Sequence, residues 1–242
     1  MHHLLRGKIT RTILLATIIV MGFKSQAQRE MNRPNHDDLT YYFGITLGYN
    51  SSFLHPTKSV KFLQDDSVLV AEPGASGGIT LGLLGTARIS DHFQLRINPQ
   101  LVIGGAKYFN YTLGSHLPTE AVDQKKILPS TLVSFPIQIK FNSDRIDNFR
   151  VYLLGGIRFD KDLSSNSSAR NAEDLIKLKG SDFVLETGIG FNIFLPFVTI
   201  SPEIKFSYGL TNLHDRDPTL KYSSVFDKIQ SRMISFSLHF ED

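Results

Sequence analysis

Nine charged residues occupy positions where an extended chain would point them to one side. Six are cations, Arg88, Arg96, Lys140, Arg150, Arg158 and Lys205; three are acids, Asp160, Glu186 and Glu203. Most have bulky apolar neighbours in sequence, as in Leu95-Arg96-Ile97, Ile139-Lys140-Phe141 and Ile157-Arg158-Phe159. Side chains along a strand alternate between its two faces, so such charges share one face and the apolar residues take the other. Charges collected on an enclosed face must find partners or water, because a lone buried ion costs several kcal/mol. The spacing points to a structural network of ion pairs and hydrogen bonds. A proton or ion path is the sharper reading of the same residues.

Other constellations carry less. His214-Asp215-Arg216-Asp217 gathers a histidine and two carboxylates, but in a connecting segment nothing makes ligands converge. Asp65-Asp66 lacks the rest of a calcium loop. A hydrolase needs Ser, His and an acid oriented on one another. His55, His116 and His214 all fall in connections, His239 lies at one end of the polar face, and no GxSxG occurs. The chain has no cysteine, hence no thiolate metal site and no disulfide. The expectation is no catalytic residue, no cofactor, no metal and no small-molecule substrate.

The elements that position the charges are eight alternating stretches: Tyr41 to Asn50, Ser76 to Ser90, Phe93 to about Tyr111, Ile127 to Phe141, Phe149 to Asp162, Asp182 to Phe194, Val198 to Leu210, and a closing stretch through Ile234 to Phe240. The seventh is cleanest: Val198, Ile200, Ile204, Phe206, Tyr208 and Leu210 oppose Thr199, Ser201, Glu203, Lys205, Ser207 and Gly209. Four long connections alternate with three short ones, Asp91-His92, Asn142 to Asn148 and Leu195 to Phe197. This rhythm predicts antiparallel neighbours with two unlike ends. Gly104-Gly105 is a candidate bulge, and Ala172 to Leu178 could form one or two helical turns. Pro202, on the apolar parity within a strand, forfeits a ladder bond and marks an edge, bulge or seam.

Residues 1–27 read as a secretion signal, with Arg6, Lys8 and Arg11 ahead of an apolar core from Ile13 to Phe23 and cleavage expected after Ala27. Residues 28–40 read as a polar periplasmic lead-in, and 41–242 as one barrel. Losing Arg6, Lys8, Arg11 and Lys24 takes the formal charge from +3 to −1. No basic stripe remains, which argues against nucleic acid. A soluble barrel is apolar inside and charged outside; here bulky apolar residues fill the charge-poor face, while Gly, Ser and Thr share the other with the ions. That is the pattern of an eight-stranded antiparallel up-and-down transmembrane β-barrel with a filled polar lumen. Tyr41, Phe141, Phe149, Phe197 and Phe240 fit an aromatic girdle at the short-turn rim. Tyr49, Tyr108, Phe159 and Tyr208 fit one at the other rim. Eight strands leave no room for solute diffusion.

Several runs resemble the PorT (SprT) family: Tyr42-Phe43-Gly44-Ile45-Thr46-Leu47-Gly48-Tyr49-Asn50, Arg150-Val151-Tyr152-Leu153-Leu154-Gly155-Gly156, Ser201-Pro202-Glu203-Ile204-Lys205, and Ser231-Arg232 ahead of the closing strand with Phe240-Glu241. Asp160-Lys161-Asp162-Leu163 and Asp182 to Gly190 fit the same pattern. The resemblance covers nearly the whole mature chain and departs from the family in loop composition. It implies an integral outer-membrane barrel of the Bacteroidetes phylum, needed by the type IX secretion system and, where present, for gliding motility. The partners it implies are outer-membrane lipids and other components of that system. A generic barrel for surface adhesion or envelope integrity is the rival reading, and a lipid A-modifying enzyme the remote one.

Overall fold

The computed structural model describes residues 31–59, 62, 68–104, 107–114, 121–164, 178–215 and 225–242. The expected signal segment, Asp65-Asp66, His116, residues 172–177, Arg216 and Asp217 lie outside the described residues. The strands are β1 (Tyr41–Lys58), β2 (Val68–Gly74), β3 (Ser76–Arg88), β4 (Phe93–Ile97), β5 (Gln100–Gly104), β6 (Lys107–Leu113), β7 (Asp123–Leu128), β8 (Thr131–Asn142), β9 (Phe149–Asp162), β10 (Ser181–Phe194), β11 (Thr199–Gly209) and β12 (Phe226–Glu241).

Every pairing is antiparallel, and the order β1-β12-β11-β10-β9-β8-β4/β5-β3 closes through β3 onto β1. β4 and β5 are one strand interrupted at Asn98-Pro99. The pairing to β8 resumes beyond the break in the same register, Ile97↔Ile137 and then Gln100↔Ser134. Counted this way, the ring has eight strands. Closure satisfies every strand edge, the condition for backbone in hydrocarbon. Pro202 pairs with Leu238 of β12, whereas on its other side the β10–β11 ladder skips from Gly190↔Glu203 to Ile193↔Ile200. The missing N–H thus leaves a seam between β10 and β11.

The three short turns (89–92, 143–148 and 195–198) lie at one end with the C-terminus. At the other end the strands run further than their alternation suggests. β2, β6 and β7 prolong β3, β5 and β8 as a second, three-stranded sheet, β2-β6-β7. Gly104 (φ 81°) begins this change: inward residues are even-numbered up to Val102, but Lys107, Phe109, Tyr111 and Leu113 are the buried ones beyond it. Only glycine adopts that φ without cost.

Around the ring the apolar rows face outward, with Leu81, Leu153, Leu185 and Phe206 all 44–53% exposed. Inward positions are buried and polar, among them Thr46, Asn50, Gln138 and Ser237. Aromatic pairs meet in tilted contact on the outer surface, Phe93 with Phe141 at 5.1 Å and Phe159 with Phe183 at 5.2 Å between centroids. Of the candidate girdle residues, Tyr108 belongs to β6, in the prolonged end of the strands.

Candidate functional site: an ionic lumen closed at both ends

Inside the ring two acids act as hubs. Glu203 of β11, wholly buried, accepts from Arg96 Nη1 at 2.8 Å and Tyr152 OH at 2.8 Å; Lys205 Nζ stands 3.1 Å and His239 Nε2 3.2 Å from its other oxygen. β4 and β11 lie on opposite sides of the ring, so Arg96 spans the lumen. Its second nitrogen reaches Glu241 Oε1 at 2.8 Å. Tyr152 reaches Glu203 because Gly190 has no side chain; a Cβ there would lie 2.3 Å from the tyrosine ring. The same ring carries Lys140, its Nζ 4.0 Å from the centroid and 3.1 Å from Asn192 Oδ1.

The second hub lies nearer the long connections. Arg158 grips Asp160 through two parallel bonds of 2.7 and 2.8 Å and meets Glu186 at 2.5 Å. Gln138 and Ser207 also donate to Glu186, at 2.7 and 3.1 Å. A fork-to-carboxylate pair of this kind is geometrically specific as well as strong.

Of the nine charges singled out from the sequence, Arg96, Lys140, Arg158, Asp160, Glu186, Glu203 and Lys205 stand within the lumen. Arg150 stands at the turn-end mouth and binds Asp37 at 2.8 Å. Arg88 is a correction. It ends β3 at the turn, with a 27% exposed side chain that meets Asp91 at 2.5 Å and Asp38 at 3.7 Å, and so is a rim residue. Ring closure, and no neighbour in sequence, gives Glu203 its partner Arg96.

Sequence reasoning missed Glu241, Asp182, Lys107, Tyr152 and Asp37. Glu241 looked like a trailing acid after Phe240, yet it is fully buried. Its signal was present, since Ser235, Ser237, His239 and Glu241 share one parity. Including these, the buried cations Arg96, Lys107, Lys140, Arg150, Arg158 and Lys205 face the buried acids Asp160, Asp182, Glu186, Glu203 and Glu241. The apparent surplus of positive charge nearly disappears.

Both ends are closed. Above the lumen, Leu54 of β1, Phe226 and Ile229 of β12, Val68 and Ala71 of β2, and Phe109, Tyr111 and Leu113 of β6 form a buried apolar cluster. A cavity of about 30 Å³ lies where this cluster meets the ions, bordered by Lys107, Arg158, Asp160 and Asp182. Below, the lead-in folds across the mouth with one 3-10 turn, Pro34–Asp38. His36 is buried between Tyr42 and Phe194, at ring distances of 4.9 and 5.6 Å. Burial, then the Arg33 charge, lowers the His36 pKa from its ordinary 6.5. Arg33 donates to Thr199 Oγ1 and to the Glu241 carbonyl, and Asn32 bonds Asn148. Among the described residues no group of His, Cys, Asp or Glu is arranged to hold a metal ion. His214 is buried in a bridge with Leu178.

An apolar outer belt around a packed ionic interior defines an integral membrane barrel. The chain belongs to the outer membrane protein beta-barrel domain family, whose model matches residues 26–215. It is an outer-membrane protein, and in such barrels the short turns face the periplasm. No curated protein sequence matches it. Solved structures that it resembles include Neisserial surface protein A (NspA), 12% identical over 83% of this chain and 96% of that one, with a TM-score of 0.44. The outer membrane protein OprG from Pseudomonas aeruginosa is 12% identical over 82% and 94%, with a TM-score of 0.41. The outer membrane protease OmpT from Escherichia coli is 8% identical over 83% and 95%, with a TM-score of 0.45.

Proposed function

We propose that this barrel is a non-enzymatic accessory of protein secretion by the type IX system, and of gliding motility where that occurs. The observation that carries the reading is the filled lumen. With Arg96 bound across it to Glu203 and Glu241, an apolar cluster over one end and the lead-in under the other, the described residues leave little room for solute in the tube. Work is left to the surfaces, with the barrel as a stiff mount that holds periplasmic and outer contact sites in register. The sequence resemblance to the PorT family supplies the particular machinery. Deleting the gene should trap secreted cargo in the periplasm and abolish gliding in a motile host. An intact secretome in the deletion strain overturns the reading.

Adhesion or envelope integrity is the second reading, favoured by the three-stranded sheet that stands on the outer side. It calls for altered surface binding with normal secretion. Lipid A of unchanged mass in the same strain is the expected result against the enzymatic reading.

A further inference from the structure

We propose that the periplasmic mouth is a docking site for an acidic peptide segment of a periplasmic protein, with Asp37 of the lead-in as its resident competitor. The site is a cleft of about 130 Å³ whose border carries three arginines, Arg88, Arg145 and Arg150, and three acids, Asp37, Asp91 and Asp144, with His92 and Gln94 between them. Two of its cations are inside and two of its acids are not. The Arg145 and Arg150 side chains are 4% and 10% exposed, whereas Asp91 is 84% exposed and Asp144 also stands in solvent. Acids standing in water are screened and offset the inner charge weakly.

Asp37 already shows what fits. Its carboxylate meets Arg150 Nη1 at 2.8 Å and Arg145 Nη1 at 3.4 Å. The arginines also read main chain: Arg88 donates to the Asp37 carbonyl, and Arg145 to the carbonyls of Asn32 and Arg33. A site that grips a carboxylate and adjacent backbone carbonyls is suited to a peptide rather than to a free anion. The guanidinium planes are held in advance, with Arg145 Cζ 3.7 Å from the Phe194 ring centroid. Arg150 Nε is buried and has no acceptor among the described residues, so the cleft keeps a donor in reserve.

The occupant is replaceable. The described lead-in joins no strand of the ring, and it is held by side-chain bonds, by the His36 ring packed between Tyr42 and Phe194, and by the tie from Arg88 N to the Thr40 carbonyl. Arg33 takes a left-handed φ of 50°, a conformation that strains a residue with a side chain. Swinging residues 32–40 aside leaves β1, which begins at Tyr41, in place. The proposal goes beyond the secretion role, because a barrel used for adhesion would present the same cleft.

The test uses the mature chain in lipid nanodiscs, fluorescein-labelled hexaglutamate as probe and hexalysine as control. Unboiled gel mobility checks that each variant is folded. Asp37→Asn should bind hexaglutamate about tenfold more tightly than the parent. Adding Arg145→Gln and Arg150→Gln to it should return binding to the parental level. A change below about twofold for Asp37→Asn, or a folded triple variant that binds as tightly as Asp37→Asn, overturns the proposal. So does full displacement of the peptide by millimolar inorganic phosphate, which would mark an anion site. A second measurement leaves both arginines in place. The chain has no cysteine, so a single His92→Cys can be introduced and labelled with thiol-reactive hexaglutamate. Labelling should be faster with Asp37→Asn than without it; equal rates overturn the proposal.

Discussion

The interior of this barrel has two regions that obey opposite rules. Within the belt, inward positions of β12 are His239, Ser237 and Ser235, and the outward ones are Phe240, Leu238, Phe236 and Ile234. Higher on the same strand, buried Met233 packs with Val102 and Leu132, and Ile229 and Phe226 belong to the apolar cluster. β1 changes in the same way, from Thr46 and Asn50 to Leu54. The solvent outside makes the difference. Against acyl chains an outward leucine costs nothing and the ions are hidden inside. Above the bilayer water is outside, and the hydrophobic effect turns apolar groups inward again. One strand carries both rules, and the change of solvent predicts the outer membrane surface at the crossover.

The largest test strikes the ionic region. Glu203→Ala leaves Arg96 and Lys205 without their shared acceptor and should cost about 3–5 kcal/mol, seen as a lower unfolding temperature on unboiled gels. Replacing Arg96, Glu203, Lys205 and Glu241 together with apolar residues of similar size, so that none of the four ions is left unpaired, should recover most of that loss. A Glu203→Ala variant that melts like the parent would mean that the hub is not under load. Phe226→Ala in the apolar region should cost about 3–5 kcal/mol or slightly less, but locally. Proteolysis should then cut outer segments while the ring keeps its folded mobility; loss of the whole ring would dissolve the distinction between the regions.

Outward substitutions sharpen the boundary. Leu185→Arg, in the belt, should cost about 2–4 kcal/mol. Leu69→Lys, on the outer sheet, should stay within about 0.5 kcal/mol. Equal penalties would show the membrane boundary to be misplaced. Gly190→Ala should cost about 1–3 kcal/mol by displacing Tyr152 from Glu203. The smallest effect concerns pH. Because the folded state lowers the His36 pKa, its contribution is full above the ordinary 6.5 and fades as pH falls below it. Protease access to the lead-in should therefore rise on acidification below 6.5 and be flat in His36→Gln.

Much of the belt was legible because its pattern is local. Arg96, Lys140, Arg158, Glu186, Glu203 and Lys205 could each be assigned to the inner face from their nearest neighbours in sequence. Glu241 was legible by the same parity and was overlooked because it follows the terminal phenylalanine. The apolar cap was hidden in segments that read as connections: Gly104 reverses the parity of β6, and β2 and β7 are only seven and six residues long. The plug was hidden because Asp37 and Arg33 have no periodic signal at all.

Within the membrane belt the sequence by itself determined the eight strands of the ring, their alternation and the face most side chains take, since these depend on the two-residue period of an extended chain. Only the tertiary structure decided that Arg96 meets Glu203 and Glu241, that Tyr152 lies against Gly190, and that His36 and Phe226 close opposite ends. Those meetings depend on how eight strands register and close into a ring, a relation between residues far apart in sequence that no local pattern encodes.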